Sequence, residues 1–439
     1  MTSLSRRLAR EVLAVTPRDL PEAVVDKVRI GLLDMLSCAF EARDLPWGSQ
    51  AIQMARRAAG PATIIGTPFR SAPGDAAFAN ATLGHGLVRE DMHTGAVSHL
   101  GVVIYPALLA CAQRTKVSGE TFILAAACGY EIGAAIGKAL VDREFAKFHR
   151  PTGTTGPIGA AVAAGVLLGL DEDAVVSAIG LAANTAGGLN EWPYVGGDEM
   201  FFHPGFAARS AVAAVELAEL GACASETALD GQAGLFAGLN RASRISEVKP
   251  FHDGAWEILS VYYKLAPACN YAQTACQAAV SLAVPASEIE SVTVKCPAAA
   301  VAYPGCNFAG PFHRTLQAKM SIQYCVAATL ASGKIAEANY RMLDDREISR
   351  LAGSMTLETA DEFTAAYPAK QGAEVSLRLR SGETRTSRMD DVVPATPDEI
   401  RRRFRSAAGS RAAAVEEFID RLEQQPDAGA LGTLLEKEQ

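Results

Sequence analysis

The chain has 439 residues, of which 49% are apolar and 21% are charged, and such a length buries a large core in two or three folding units. Its 41 basic and 49 acidic residues give a net charge of −8, which argues against nucleic acid as a partner because phosphate backbones select clustered positive charge. A small carboxylate partner stays possible, since a local cationic pocket does not require a basic protein.

The first half of the chain predicts one helix after another. Apolar residues between 21 and 43 recur at steps of three and four, which gives one apolar face. Ser118 is the predicted cap of a helix over about 119–140, and Asp171 that of a helix over about 172–185. A further helix is predicted from about 206 to 220. Because these segments are rich in Ala and Gly, we expect closely packed central helices of a large bundle.

The pattern changes near Trp256. Residues 292–296 and 374–380 alternate between apolar and polar, which is typical of strands, and Ser381-Gly382 then predicts a turn. Helices are predicted between and around them, at about 271–283 and 316–331. This mixture indicates an α+β unit.

Thr396 begins a segment that returns to helix, with Pro397 at the first helical position and two acids after it. We therefore predict a mainly α protein with two domains. Residues 1–255, joined by 396–439, form a large all-helical domain, and residues 256–395 form a smaller α+β lid domain.

The nine cysteines include no Cys-x-x-Cys pair and are expected to be buried thiols in a reducing, cytoplasmic setting. Arg6, Arg7 and Glu11 interrupt the opening turns, which argues against a signal peptide. No run reaches the roughly 20 apolar residues that cross a bilayer, so no membrane partner is expected. A P-loop, a GxGxxG turn, a Gly-x-Ser-x-Gly elbow and the common metal motifs are also absent from the sequence.

Three histidines and two acids lie within fifteen residues, at His85, Glu90, Asp91, His93 and His99. A carboxylate beside an imidazole fixes its tautomer and raises its basicity, which suits general acid–base catalysis near neutral pH. The spacing contains no pair at i and i+4, so it does not indicate a helical metal site. The alternative is a polar loop between two buried helices.

A second segment, 148–157, contains His149, several threonines and two prolines. Thr155 or Gly156 is a possible helix cap, with Pro157 at the first helical position. Free N–H groups and hydroxyls at such a helix start can bind a carboxylate. The alternative is an ordinary capped loop with a surface histidine.

Three further positions are candidates. His203 lies between aromatic residues, where a core histidine bonded to backbone is the commoner role. Lys264 stands between Tyr263 and Leu265, where a partly desolvated cation can neutralise a developing enolate. Tyr324 lies on a predicted helix, and packing and function are equally plausible for it.

In this order, these segments resemble the MmgE/PrpD family, which includes 2-methylcitrate dehydratase, cis-aconitate decarboxylase and iminodisuccinate epimerase. The resemblance covers nearly the whole chain and rests on residues 75–85, 118–131, 151–156, 203–210 and 324–327. It implies a large helical domain with a smaller α+β lid, a homodimer, an active site in the interdomain cleft, and no metal or organic cofactor.

The site residues follow from this resemblance combined with the candidates above. The predicted catalytic residues are Asp91, His93, His99, His149, Lys264 and Tyr324. The predicted substrate-binding residues are Glu90, Arg89, Arg150, Thr152, Thr154, Met200, His203, Cys269, Asn270 and Gln273.

The chain departs from the family pattern at several of these positions. Met200 replaces a lysine and Asn270 an arginine, and each change removes a cation that could hold a carboxylate. Such a charge-assisted bond is typically worth about 1.5–3 kcal/mol, so we expect poor binding of a tricarboxylate. Arg150 resembles a one-residue insertion that could displace His149, and Arg89 or Arg150 could supply a relocated cation.

The predicted function is a cofactor-independent lyase of the hydro-lyase type, which removes a proton next to the carboxylate of a small acid. Lys264 and the helix start at Thr152–Gly156 are expected to stabilise the resulting charge. Epimerisation or decarboxylation on the same scaffold is the alternative.

Two rival classes are a non-catalytic ligand-binding protein and a metal hydrolase that uses Asp91, His93 and His99. The catalytic interpretation requires that the predicted residues converge on one cleft. The residues that this test concerns are His93, His99, His149, Lys264 and Tyr324.

Overall fold

Helices rich in alanine and glycine build the first part of the molecule. The structure, a computed structural model, describes residues 2–437. The helices of this part are α1 (Leu4–Leu13), α2 (Glu22–Ala42), α3 (Pro46–Ala55), α4 (Pro73–His85), α5 (Gly101–Ala112), α6 (Gly119–Leu140), α7 (Phe145–Phe148), α8 (Pro151–Leu167), α9 (Glu172–Ala183), α10 (Trp192–Val195), α11 (Glu199–Glu219) and α12 (Leu235–Gly238). Its strands are β1 (Ala62–Thr63), β2 (Arg70–Ser71), β3 (Asp91–His93) and β4 (Val261–Tyr263).

The predicted helix starts are confirmed where a side chain caps the helix. Ser118 accepts a hydrogen bond from the Thr121 N–H at the start of α6, and Asp171 accepts one from the Ala174 N–H at the start of α9. The helix predicted from about 206 begins earlier, at Glu199, and continues through Pro204.

Glycine allows the two central helices, α6 and α8, to pack closely. A Cβ atom at Gly159 would lie 2.7 Å from the carbonyl oxygen of Gly129, and one at Gly129 would lie 2.9 Å from that of Gly159. By length and composition alone, α6 is long and apolar enough to cross a membrane. No segment of this kind was predicted from the sequence. The most apolar window of α6 is 94% buried inside the fold.

The lid combines a four-stranded sheet with short helices. Its elements are α13 (Gln273–Ser281), β5 (Ile289–Cys296), α14 (Ala298–Ala302), α15 (Thr315–Met320), α16 (Ile322–Ser332), α17 (Arg346–Gly353), β6 (Met355–Thr359), α18 (Asp361–Ala366), β7 (Ala373–Leu379) and β8 (Thr384–Met389). The strand order is β6-β5-β7-β8, with β5 and β6 parallel and the other pairs antiparallel. The predicted mainly α fold with a small α+β lid is therefore confirmed.

The chain then returns to the helical domain through α19 (Pro397–Ala408), α20 (Ala412–Asp420) and α21 (Leu431–Leu435). Thr396 and Glu399 form the expected capping box at the start of α19. Ile400 and Phe404 of this helix belong to the same hydrophobic core as α2.

The two domains meet along a short ladder between β3 and β4, in which Asp91 pairs with Tyr263 and His93 with Val261. Trp256, Ile258, Val261 and Tyr263 pack in the helical core, so the first residues of the predicted lid lie against the larger domain. In the opposite direction, Val88 and Met200 of the helical domain pack against the lid core. The interdomain region therefore brings together segments that are distant in the sequence.

Candidate active site

A small cavity of about 30 Å³ lies between the two domains. The residues that line it are Val88, Met92, Val97, His99, Arg150, Trp192, Met200, Cys269, Asn270, Tyr271, Tyr303 and Met320. The two domains both contribute, and several of the predicted site residues are present. We call this space the inner cavity.

His99 lines the inner cavity, and no residue among 2–437 makes a hydrogen bond to its Nε2. Its Nδ1 lies 2.7 Å from the Asp91 carbonyl oxygen and 3.2 Å from Oε1 of Glu90. Because both of these atoms are acceptors, the proton is assigned to Nδ1 and the lone pair to Nε2. Burial, followed by the charge of Lys264, holds the pKa of His99 well below its usual value. His99 is therefore a neutral imidazole suited to accept a proton.

Glu90 fixes both imidazoles beside the cavity. Its Oε1 lies 2.6 Å from Nδ1 of His85, whose ring is 5.3 Å from that of His99. Burial alone would raise the pKa of Glu90, but the imidazoles of His85 and His99 and the ammonium of Lys264 lower it below its usual value. Burial lowers the pKa of His85, so its neutral form donates from Nδ1 to Glu90 and leaves Nε2 as an acceptor.

Arg150 is the cation that reaches the inner cavity. Its Nη2 donates to Nε2 of His85 at 3.1 Å and lies 3.9 Å from Sδ of Met200. The guanidinium carbon lies 5.3 Å from the ring centroid of Trp192, and Nε has no hydrogen-bond partner within residues 2–437. A buried guanidinium with donors to spare is suited to bind a carboxylate.

Two valines of the cavity wall have left-handed backbone conformations, Val88 with φ 59° and Val97 with φ 50°. A β-branched residue rarely adopts such a φ, and strain of this kind is often found at functional sites. The ammonium of Lys264 donates to the Val88 carbonyl at 2.5 Å. Burial lowers the pKa of Lys264, and the charge of Glu90 opposes that effect.

The Asp91 side chain faces away from the cavity, toward α5 and α6. Its Oδ2 accepts hydrogen bonds from the Tyr130 hydroxyl at 2.7 Å and the Gly101 N–H at 3.1 Å. Burial raises the pKa of Asp91 to about 6, although the hydrogen bond from Tyr130 lowers it in part. Asp91 therefore acts on the site through its backbone, which holds His99.

Three residues predicted to be catalytic lie elsewhere. Nε2 of His93 lies 2.9 Å from Glu257, and its Nδ1 accepts the Ala96 N–H. His149 is half-buried and its ring packs 4.9 Å from that of Phe145, outside the cavity lining. The Tyr324 hydroxyl donates to the Asn339 carbonyl in the lid core at 2.9 Å.

The helix start predicted at Thr155 or Gly156 is wrong. α8 begins at Pro151 with Arg150 as its cap residue, and Pro157 lies inside the helix. The hydroxyls of Thr154 and Thr155 therefore donate back to backbone carbonyls of their own helix at 3.0 Å. Thr152 instead accepts the His99 N–H at 3.1 Å, so it positions His99.

Some of the remaining predicted binding residues line the inner cavity, and others support the loops around it. Cys269 and Asn270 line the inner cavity, and the Cys269 sulfur lies 3.5 Å from that of Cys306. The Gln273 side chain bonds to the backbone of Ala266 and so braces the loop after Lys264.

Two predicted binding residues remain to be placed. Arg89 pairs with Glu41 at 2.8 Å, away from the cavity. His203 has no hydrogen-bond partner for its Nδ1 within residues 2–437, and burial together with the charge of Arg150 lowers its pKa to about 3.

Several contributing residues were missed. Trp192, Tyr271 and Tyr303 line the cavity, but nothing in the spacing of isolated aromatic residues distinguishes them from core residues. Lys319 is fully buried and donates to the Leu87 carbonyl of the helical domain at 3.0 Å and to the Pro267 carbonyl of the lid at 2.8 Å. The position of Lys319 in a largely apolar helical segment was the sequence feature that could have indicated a buried, functionally placed lysine.

Of the five residues in the convergence test, His99 lines the inner cavity and Lys264 lies directly behind its wall. The other three do not meet them. In the described part of the chain, residues 2–437, no group of three or more His, Cys, Asp or Glu side chains is arranged to hold a metal ion.

Comparison with known proteins gives two family matches. Residues 6–247 match the MmgE/PrpD N-terminal domain and residues 266–425 match the MmgE/PrpD C-terminal domain. A cis-aconitate decarboxylase-like protein of Aspergillus oryzae is 27% identical, with 99% of this chain and 98% of that protein aligned. A cis-aconitate decarboxylase of Aspergillus terreus is 25% identical over 95% of this chain and 92% of its own length.

Proposed function

Because this chain belongs to the MmgE/PrpD family, we propose that it is a lyase of small carboxylic acids in which His99 is the general base and Arg150 binds the carboxylate. The observation that carries this proposal is that His99, whose Nε2 has no hydrogen-bond partner within residues 2–437, lines the same small cavity as Arg150. A neutral base and a carboxylate-binding cation are the minimum that proton abstraction next to a carboxylate requires.

In the proposed reaction, Arg150 holds the substrate carboxylate and Nε2 of His99 takes a proton from the adjacent carbon. The carboxylate gains enolate-like charge, which Arg150 and the buried ammonium of Lys264 stabilise. When the carbon–oxygen bond to a hydroxyl on the next carbon breaks, the His99 imidazolium returns its proton to that hydroxyl and water leaves. One imidazole is therefore sufficient for dehydration.

Decarboxylation is the second candidate, and the names of the two Aspergillus relatives favour it. In that case carbon dioxide leaves and the His99 imidazolium protonates the carbon that remains. This order requires His99 to be protonated first, whereas its lowered pKa favours the neutral base. The pKa direction therefore favours dehydration, and the relatives favour decarboxylation.

The test is an NMR screen in deuterium oxide with small hydroxylated and unsaturated mono-, di- and tricarboxylates. We expect either interconversion of a hydroxy acid and its unsaturated product, with deuterium entering the carbon next to the carboxylate when the unsaturated acid is hydrated, or loss of carbon dioxide, with deuterium at the carbon that carried it. His99→Asn is the matched variant, because its amide N–H can still donate to the Asp91 carbonyl while Nε2 is lost. Turnover by His99→Asn within tenfold of the wild-type rate would contradict the role of His99.

We also propose that the protein is a homodimer. Phe148, Leu189, Tyr194 and Val195 are all more than half exposed. Their two segments are joined by a backbone hydrogen bond from the Asn190 N–H to the Phe148 carbonyl at 3.0 Å, so the apolar side chains share one surface. Light scattering on the wild type and Leu189→Asp tests this, with a dimer expected to become a monomer; a monomeric wild type would refute it.

A further inference from the structure

The inner cavity adjoins a larger space that runs outward between the domains. This outer cleft has a volume of about 280 Å³. Val97, Tyr271 and Tyr303 line both spaces. These three residues therefore separate a ligand held at Arg150 and His99 from the outer cleft.

The walls of the outer cleft are largely carbon. Val141 and Ala146 come from the helical domain, and the lid contributes a larger apolar set: Ala299, Ala302, Pro304, Pro368 and the rings of Tyr271, Tyr303 and Tyr367. The hydroxyls of Tyr271 and Tyr367 lie 3.1 Å apart, so one of them donates to the other. The Tyr303 hydroxyl accepts a hydrogen bond from Asn190 at 3.4 Å. The three rings supply the apolar surface of the cleft, while the Tyr303 hydroxyl and one hydroxyl of the Tyr271–Tyr367 pair each keep a proton to donate.

Among residues 2–437, the charged residues that line the two spaces are Arg150 in the inner cavity and Asp142, Arg143 and Lys147 in the outer cleft. Arg150 is at the inner end, while Arg143 and Lys147 are exposed at the outer rim. Lys147 pairs with Glu144 at 3.0 Å, and Asp142 pairs with Arg241 at 2.9 Å. A second or third carboxylate between the ends would lie against apolar walls, and burial of an unpaired carboxylate is strongly unfavourable.

We propose that the substrate is a carboxylic acid with an apolar tail, whose carboxylate binds Arg150 and whose alkyl or aromatic chain occupies the outer cleft. This inference rests on the proposed function, because it uses the same carboxylate site. A cavity of about 150 Å³ accepts a benzene ring, so about 280 Å³ accommodates a phenyl group with several further carbons.

Binding of unreactive saturated acids tests the tail separately from catalysis. Calorimetry compares butanoate, hexanoate, octanoate and 3-phenylpropanoate with propane-1,2,3-tricarboxylate. At about 0.8 kcal/mol per buried methylene, each added methylene should tighten binding by roughly fourfold. Tighter binding of the tricarboxylate than of octanoate would overturn the inference.

A substitution in the outer cleft provides the second arm. Ala302→Phe fills the outer cleft but does not touch the inner cavity, so octanoate should bind at least tenfold more weakly while butanoate binds as before. Ala298→Phe on the same helix lies outside the cleft and is the matched control, with no change expected. Equal binding of octanoate by wild type and Ala302→Phe would refute the apolar tail.

Arg150→Met separates the two proposals. If it weakens the binding of every acid but chain length has no effect, the carboxylate site stands and the apolar tail is wrong. If Arg150→Met changes the binding of none of the acids, the proposed carboxylate site and the inference that depends on it both fail.

Discussion

Met200→Lys would restore the lysine that the family resemblance implies at this position, and the structure predicts that this single change is harmful. Sδ of Met200 is fully buried, 2.8 Å from Nε2 of His85 and 3.9 Å from Nη2 of Arg150. A lysine ammonium at the end of this side chain would therefore lie beside the Arg150 guanidinium. Two cations would compete for one small cavity.

The size of the effect follows from the separation of the charges. At roughly 4 Å and an effective dielectric constant of about 20, two unit charges repel by about 4 kcal/mol. Typical domains are stable by only about 5–15 kcal/mol, so we expect a large fall in the free energy of unfolding. The repulsion lowers the pKa of the new lysine in the folded state, so the loss should be greatest near pH 7 and should diminish toward pH 10.

Urea unfolding of the wild type, Met200→Lys, Arg150→Met and the double variant measures this effect. Met200→Gln is the control for a polar but neutral side chain. The double variant keeps a single cation in the cavity, so it should be at least 2 kcal/mol more stable than additivity predicts. Ligand binding is not needed for this measurement.

Two results would refute the reasoning. If Met200→Lys is as stable as Met200→Gln at pH 7, the Arg150 guanidinium does not occupy the space beside Met200. If the two substitutions are additive, the two positions do not share one cation site.

Three further measurements address the site and its scaffold. Glu90→Gln removes the charge that raises the pKa of His99, so the acid limb of the kcat/KM–pH profile should move to lower pH, and a shift to higher pH would contradict this. Because burial raises the pKa of Asp91 to about 6 in the folded state, ionisation of Asp91 lowers the free energy of unfolding by about 3 kcal/mol as pH rises from about 4 to about 6. Asp91→Asn should remove this fall in urea unfolding experiments, and an unchanged dependence on pH would contradict the prediction. Gly159→Ala forces a Cβ to within 2.7 Å of a carbonyl oxygen and should lower the melting temperature by several degrees, whereas Gly353→Ala, with open space around it, should not.

The sequence allowed most of the fold to be predicted, because local rules govern helix ends. Ser118, Asp171 and Thr396 each form the expected cap. The start of α8 was missed because two prolines six residues apart both suit a first helical position, and the choice of Pro151 depends on tertiary contacts. One such contact is the Arg150 N–H bond to the Gly188 carbonyl at 2.9 Å.

The candidate site was harder to predict because a cluster in sequence need not be a cluster in space. Asp91 and His93 lie on β3, and neither side chain reaches the inner cavity. The side chains of Asp91 and His93 bond to Tyr130 and Glu257, which are 39 and 164 residues away in the sequence. No local rule indicates these partners. The orientation of the His99 ring, in contrast, follows once the positions of Glu90 and Asp91 are known.

The departures at positions 150 and 200 are best understood as one rearrangement. The family resemblance implies an inserted arginine and, separately, a lost lysine. Because Nη2 of Arg150 lies 3.9 Å from Sδ of Met200, the arginine fills the space that a lysine at 200 would use. The cavity therefore keeps a cation, but a planar guanidinium replaces a compact ammonium. A guanidinium can donate two parallel hydrogen bonds, which favours bidentate binding of one carboxylate. Asn270 has no such replacement, since its amide bonds to Gln371 at 2.7 Å, and the resulting single-cation cavity is consistent with an acid that carries one carboxylate and an apolar tail.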